Sequence, residues 1–397
     1  MIERLLAKLP RGARAVAWGA ILLGLLAFWV ALPPLKLREP VLPVVIGLLA
    51  IGLGAWAITQ GVRRLGWGAV AIGVLGITLG YLATRSSEAH LDQVVVWSAL
   101  TAAMLRFATP LAFAAMGGIF SERSGVINIG LEGTMIAGAF FGILGADKLN
   151  SWPLGLLCAV LAGAAFSLVH AFFAIHLRAN QVVIGTAIIF LALGITGYLF
   201  IDIYGGEGTP PDVPEIPDVH LNFLDGWYFI GPVLGQLNLM IWLAFLTILA
   251  TWIVLFKTPV GLRIRAVGEH PRAADTVGIS VYKTRYAAVV LSGMLAALGG
   301  AYLSIGFVNS FNQNMTAGRG FIALAAVIFG NWRPWGAAAA ALLFGFSSAL
   351  AQRLPAYSES ASVLFQALPY VLTLIAVAGV IGRSIPPAAV GRPYKKQ

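Results

Sequence analysis

The sequence predicts an all-α fold: a polytopic membrane helical bundle with inverted repeats and broken helices, and about twelve membrane segments. Three observations carry that expectation. Hydrophobic residues fill 59% of the 397 positions and charged residues 11%, with a mean hydropathy of +0.87. Apolar runs recur along the chain at lengths close to the roughly 20 residues a helix needs to cross a bilayer. Glycines and isolated polar residues interrupt those runs, and irregular backbone at membrane depth is tolerated only where it is buried in protein or lines a cavity.

The first run, Ala15–Leu32, follows Arg4, Lys8, Arg11 and Arg14. Pro33, Pro34 and another span come after it where a signal peptide would have a small-residue cleavage site, so it reads as a retained helix with a cytoplasmic N-terminus. Val41–Thr59 and Trp67–Ala83 complete three early spans. The later runs are Val94–Phe120, Val126–Leu144, Pro153–His176, Val182–Ile201, Leu237–Phe256, Tyr286–Ile305, Phe321–Gly330, Gly336–Ala351 and Val363–Ile381, some of them too short to span alone. Two domains follow: residues 1–92 as an N-terminal extension with three spans, and 93–397 as the core.

Alternating sides from a cytoplasmic start places nineteen of the 26 Lys and Arg residues inside, and eleven of the 16 acids outside. This positive-inside bias predicts cytoplasmic N- and C-termini. The net charge of +10 therefore reports orientation, and no nucleic-acid partner is expected. The longest external segment, Asp202–Gln236, carries acids and prolines without Lys or Arg and reads as an extended, solvated loop. The single cysteine, Cys158, lies in an apolar run and supports no disulfide framework.

Lys257–Arg285 is the most charged stretch between two spans, and the alternation places it in the cytoplasm. Pro271 suits the first position of a helix and Gly278 a left-handed closure, which predicts a short helix over Pro271–Val277. Two other stretches match each other: Gly130–Gly142 (GLEGTMIAGAFFG) and Gly318–Gly330 (GRGFIALAAVIFG). Each precedes a Trp- and Pro-containing turn, and the topology puts those turns on opposite sides. Similar sequence in opposite orientation marks an inverted repeat, with solute paths at the repeat interface.

The chemistry concentrates in Ser121–Gly133 (SERSGVINIGLEG). Gly125, Gly130 and Gly133 weaken a helix there, and Asn128 and Glu132 are costly in hydrocarbon unless they face protein or water. Four residues apart, the two would share one helix face and line a path. Arg106 is the other charge at membrane depth, and a buried Arg106–Glu132 pair is expected to hold two helices in register. Asn180 and Gln181 begin the next span and join the candidate path; His170 and His176 read as ordinary satisfied or snorkelling side chains. The sequence holds no catalytic constellation and no metal-spaced cluster of Cys or His, so no catalytic residue, metal or resident cofactor is expected.

Five collinear blocks extend these observations: RFATPLAFAAMGGIFSERSGVINIGLEG, LRANQVVIGTA, GLRIRAVGEHPRAADTVGI, GRGFIALAAVIFG and LPYVLTLIAVAGVIGRSIPPAAVGRPY. Together they closely resemble the permease subunits of bacterial nucleoside (simple-sugar-type) ABC importers, within the superfamily of ribose and branched-chain amino acid permeases. The resemblance implies a multi-pass protein of the cell (inner) membrane that translocates nucleosides or related simple sugars inward. It further implies that Glu269, His270, Pro271, Arg272, Ala273, Ala274, Asp275 and Gly278 form the coupling helix that sits in a groove of a partner ATP-binding cassette subunit, which binds the ATP and magnesium. A second homologous permease and an extracytoplasmic substrate-binding lipoprotein complete the implied assembly. The chain departs from the family pattern at His270, Ile189 and Ser348. Two other classes fit the residues less well: an ion-coupled secondary transporter using Glu132, and a membrane-embedded enzyme acting on lipid-linked substrate.

Overall fold

The computed structural model describes residues 11–30, 39, 41–85, 96–205, 208–210, 212–224, 226–227, 229–353 and 385–396. The span expected at Val363–Ile381, the boundary at 92/93 and Arg4 and Lys8 lie outside these residues. The chain divides into two compact units, one of residues 1–101 with 347–383, the other of residues 102–346 with 384–397.

In the first unit, helices α1 (Arg11–Trp29), α2 (Val41–Thr59) and α3 (Arg63–Arg85) pack on one another. Lipid tails are as apolar as leucine, so close backbone approach at small residues must hold such helices together. Gly54 faces the Gly66 carbonyl and Gly80 the Ala27 carbonyl, leaving no room for a Cβ at either. Trp29 and Trp97 meet edge to face, with ring centroids 5.9 Å apart.

The second unit begins within α4 (Trp97–Arg123) and continues through α5 (Leu131–Lys148), α6 (Trp152–Ala171) and α7 (Gln181–Tyr204). A π-helical turn, Phe172–His176, extends α6. The segment read as a solvated loop is partly ordered. Strand β1 (Asp218–His220) pairs antiparallel with β2 (Gln236–Asn238), aligning Val219 with Leu237, and the short α8 (Ile230–Leu234) lies between them. Val213, Ile216 and Val233 are buried there, so apolar residues spaced among the acids fold the segment back onto the bundle. The chain then runs through α9 (Leu239–Lys257), α10 (Pro259–Glu269), α11 (Pro271–Thr276) and α12 (Val281–Ala301), the last extended by a π-helical turn, Tyr302–Val308. Helices α13 (Arg319–Phe329) and α14 (Pro334–Arg353) follow. Among the described residues, eight helices are long and apolar enough to cross a membrane, and the stretches Leu65–Tyr81 and Arg319–Phe329 are shorter apolar helices. The protein is a multi-pass helical membrane bundle.

The repeat is visible in the element order. Helix, break, helix, tight turn, helix occurs as α4–α5–α6 and again as α12–α13–α14, and both turns use left-handed asparagines, Asn150 and Asn331 (φ 47° and 53°). Its sense follows from how α4 meets α12. Gly117 packs on Ser292, while Gly299 packs on Pro110, so one helix is traversed upward as the other is traversed downward. Related elements that cross antiparallel require a two-fold axis perpendicular to the spans, in the membrane plane. The axis passes where matched residues touch each other, and Glu132 contacts Gly320, its own counterpart in the aligned motifs, 188 residues on. The repeat is inverted.

Candidate functional site

Both repeats break, at residues 124–130 and 309–318, and the two helices that follow, α5 and α13, meet at their N-termini. Each helix start leaves backbone N–H groups unpaired and carries about half a positive charge. Glu132 resolves both. It stands in the first turn of α5, and its carboxylate reaches across to α13. One oxygen accepts from the Thr316 hydroxyl at 2.5 Å and from Gly318 N at 2.8 Å; the other accepts from Gly320 N at 2.5 Å. A Cβ at Gly320 would lie 2.5 Å from Glu132 N, so glycine alone lets the two helix starts approach this closely.

This arrangement corrects the expected charge pair. Arg106 is exposed on α4 while Glu132 is 3% exposed and fully engaged by Thr316, Gly318 and Gly320. The carboxylate needs no cation because two helix dipoles and three donors already hold it. The shared helix face of Asn128 and Glu132 is also not realised: α5 starts at Leu131, so Asn128 sits in the break and points elsewhere.

The first break is shaped by its own hydroxyls. Ser121 Oγ donates to Val126 O and Ser124 Oγ to Ser121 O, both at 2.7 Å, while Gly125 takes φ 94°. That turn presents Ile127, Asn128 and Ile129 to three neighbouring helices. Gln181, at the start of α7, accepts from Ile127 N at 2.8 Å, and His170 of α6 donates to Ile127 O at 3.2 Å through Nε2. Asn128 Nδ2 donates to Ser292 Oγ of α12 at 3.1 Å. Side chains from α6, α7 and α12 therefore converge on a three-residue stretch that is not helical. Asn128, His170, Gln181 and Ser292 are each at most 4% exposed, yet His170 Nδ1, Gln181 Nε2 and the nearby Ser167 Oγ have no partner among the described residues. Buried donors and acceptors normally find partners. A group of spare ones, all uncharged, is suited to a neutral solute rich in hydroxyls and ring nitrogens.

His170 was not singled out as functional in the sequence, because nothing local distinguishes it from a histidine near a span end. Asn180 is exposed and serves as the N-cap of α7, accepting from Val182 N and Val183 N at 3.0 and 3.4 Å. It is set apart from its neighbour Gln181, which is turned inward. The charges of SERSG have a separate task. Glu122 is buried and accepts from the Trp332 indole, and Arg123 donates twice to Trp332 O at 3.0 Å, so the first break is tied to the turn of the second repeat.

At that same end lie α10 and α11. Helix α11 runs Pro271–Thr276, with Pro271 in the first turn and Gly278 in the left-handed conformation (φ 83°). His270 occupies the N-cap without making a side-chain cap bond, as its ring cannot supply the short acceptor that Asn or Ser would. Arg272, Ala273 and Asp275 are partly or fully exposed, whereas Ala274 is buried against Val267 and Val281.

Half-helices that meet end to end inside a membrane, with polar groups gathered where the backbone leaves the helix, are the architecture of solute permeases. Residues 100–377 match the pattern of one such family, and the chain belongs to it: the permease component of branched-chain amino acid transport systems. The guanosine ABC transporter permease protein NupQ of Bacillus subtilis is 46% identical over 321 residues, covering 77% of this chain and 99% of NupQ. The nucleoside ABC transporter permease protein NupC of Lactococcus lactis is 40% identical over 307 residues, 75% of this chain and 96% of NupC. A second guanosine permease protein of Bacillus subtilis, NupP, is 25% identical over 248 residues, 61% of this chain and 70% of NupP. No solved structure matches the chain.

Proposed function

We propose that this chain is a permease subunit of an ABC importer that carries nucleosides, or closely related sugars, across the cytoplasmic membrane. The observation that carries the reading is the chemistry of the first break. The buried polar groups around residues 127–129, Asn128, His170, Gln181 and Ser292, are uncharged, while the buried charges beside them are already engaged: Glu132 by two helix starts, Glu122 by the Trp332 indole, and Arg285 by the carbonyls of Ser124 and Arg392. An amino acid would need a fixed cation and anion at the site. A nucleoside needs donors and acceptors without net charge. The similarity to nucleoside permeases over about three-quarters of this chain supports the same class.

Import is driven by ATP hydrolysis on a partner ATP-binding cassette subunit, to which α11 and its flanks, Glu269 to Gly278, present the coupling helix. The chain's positive-inside bias supports a cytoplasmic position for that loop and for both termini. The match of NupQ and NupP, two guanosine permease proteins of one organism, supports a second homologous permease beside this chain. A substrate-binding lipoprotein delivers solute from outside. The engaged carboxylate of Glu132 leaves an ion-coupled mechanism without its ion site.

The test is uptake of labelled guanosine, uridine, ribose and leucine by proteoliposomes holding the native complex, with and without internal ATP. ATP-dependent entry of a nucleoside is the expected result. Entry of leucine without nucleosides or ribose overturns the proposal.

A further inference from the structure

The segment 385–396 holds two parts of the second unit at once. One side grips the coupling helix and its approach. Ala388 N donates to Glu269 Oε2 at 3.1 Å, Ala389 N to Gly268 O at 2.9 Å, and the Tyr394 hydroxyl to Asp275 Oδ2 at 2.8 Å. Tyr394 is buried in a small apolar cluster with Val267, Ala274 and Val281. The other side grips the first break. Gly391 N donates to Gly125 O at 3.1 Å. Arg285 donates from Nε to Ser124 O and from Nη1 to Arg392 O, each at 3.2 Å.

Arg285 makes the arrangement specific. It is 1% exposed, and no carboxylate lies within ion-pairing distance among the described residues; backbone carbonyls of the break and of the segment are its partners. A buried guanidinium held this way, with only Nη2 unpartnered among the described residues, fixes the two carbonyls against each other, since moving either one leaves more of its charge unpaired. Gly391 has φ 76°, and a Cβ there would lie 3.0 Å from the Ile127 side chain, so the segment rests directly on the residue that Gln181 and His170 bind. Helix α11, by contrast, is six residues long, lacks a side-chain cap, and is followed by a Gly278 with open space around it. Alone it is a poor lever.

We propose that segment 385–396 is a strap that carries displacement of the coupling helix to the break at 124–130, and through Ile127 to the polar groups that meet the solute. Tyr394, Gly391 and Arg285 are its positioning residues. This rests on the assignment of α11 to the ATPase contact. When the ATPase moves α11, Asp275 draws Tyr394 and Glu269 draws Ala388, and the displaced segment shifts Gly125 and Ser124. The solute groups then rearrange without any direct contact between them and α11.

The test measures nucleoside transported per ATP hydrolysed by the native complex in proteoliposomes, for the unaltered chain, Tyr394→Phe and a chain ending at Pro387. The strap predicts that hydrolysis persists while the ratio falls roughly fivefold or more on truncation, the lower range of coupling free energies between distant sites. Tyr394→Phe lowers the ratio by a smaller factor. A merely structural role lowers both rates together and leaves the ratio unchanged, which overturns the proposal. Should the truncated chain fail to insert, hydrogen exchange at residues 124–130 is compared in unaltered and Tyr394→Phe complexes before and after trapping with ADP and vanadate. A muted response in the variant supports the strap, and an equal response overturns it. Failure of the unaltered chain to bind any ATPase would remove the coupling-helix assignment instead, and that is seen before a variant is made.

Discussion

Replacing Glu132 by glutamine separates a helix-bridging carboxylate from one paired with arginine. In the structure the carboxylate takes three hydrogen bonds, from Thr316 Oγ1, Gly318 N and Gly320 N. Hydrogen bonds to a charged group contribute about 1.5–3 kcal/mol each. Glutamine keeps one oxygen, which can still accept from Thr316 and Gly318 at the neutral strength of about 1 kcal/mol. Its NH2 faces the Gly320 N–H, a donor against a donor, so one bond is lost and a buried helix-start N–H is left unpaired. These changes sum to about 3.5–10 kcal/mol, and burying a neutral amide in place of a carboxylate offsets several kcal/mol of that, which leaves a destabilisation on the order of 3–5 kcal/mol. At about 2 °C per kcal/mol for a long chain, the melting temperature in detergent falls by on the order of 5–10 °C. Arg106→Ala, at an exposed position, leaves the stability within about 0.5 kcal/mol of the original, and the double change adds to within the same margin. Unchanged stability of Glu132→Gln would refute the bridging role. A coupling between positions 106 and 132 well above that margin would restore the charge pair that the structure does not form.

Three further outcomes follow from named contacts. Trp332→Phe removes the donor to buried Glu122 and costs about 1–3 kcal/mol, whereas Glu122→Gln, which keeps an acceptor, costs less; thermal unfolding of both variants checks the order. Gly138→Ala drives a methyl group into the Ala297 backbone and costs about 1–3 kcal/mol, while Gly194→Ala meets open space and raises α7 stability by up to about 1 kcal/mol, read from the yield of folded protein. Asn180→Ala removes the cap of α7 and costs about 1 kcal/mol with solute preference unchanged, whereas Gln181→Leu frees Ile127 N and alters the ranking of nucleosides in competition uptake.

The sequence made the class of this protein legible because its signals are local or additive. Hydropathy sums over windows, so the runs Val41–Thr59, Leu237–Phe256 and Val182–Ile201 could be read without knowing any contact, and the helices found there are Val41–Thr59, Leu239–Lys257 and Gln181–Tyr204. Turn chemistry is equally local. Pro271 and Gly278 bracket a short helix that the structure ends one residue earlier than expected, at Thr276. The repeat was visible as matching strings, since two copies of one packing solution need similar residues at the crossings.

What only the tertiary structure decided is which groups satisfy which. Two charges at membrane depth suggested a pair, yet Glu132 is held by Thr316, Gly318 and Gly320, which lie 184 to 188 residues away. No local rule says that two helix starts will meet there, because the partners of a buried carboxylate depend on where the whole bundle folds. For the same reason His170 looked ordinary until α6 brought it to Ile127, and Asn180 looked solute-facing until its backbone angles made it a cap. Arg285 and segment 385–396 were read as cytoplasmic charge and as family resemblance respectively. Only folding puts the guanidinium between the carbonyls of Ser124 and Arg392. Composition and periodicity fix what each segment can be, since they act over a few residues. Long-range partners are fixed by the geometry of closure, which brings together residues far apart in the chain.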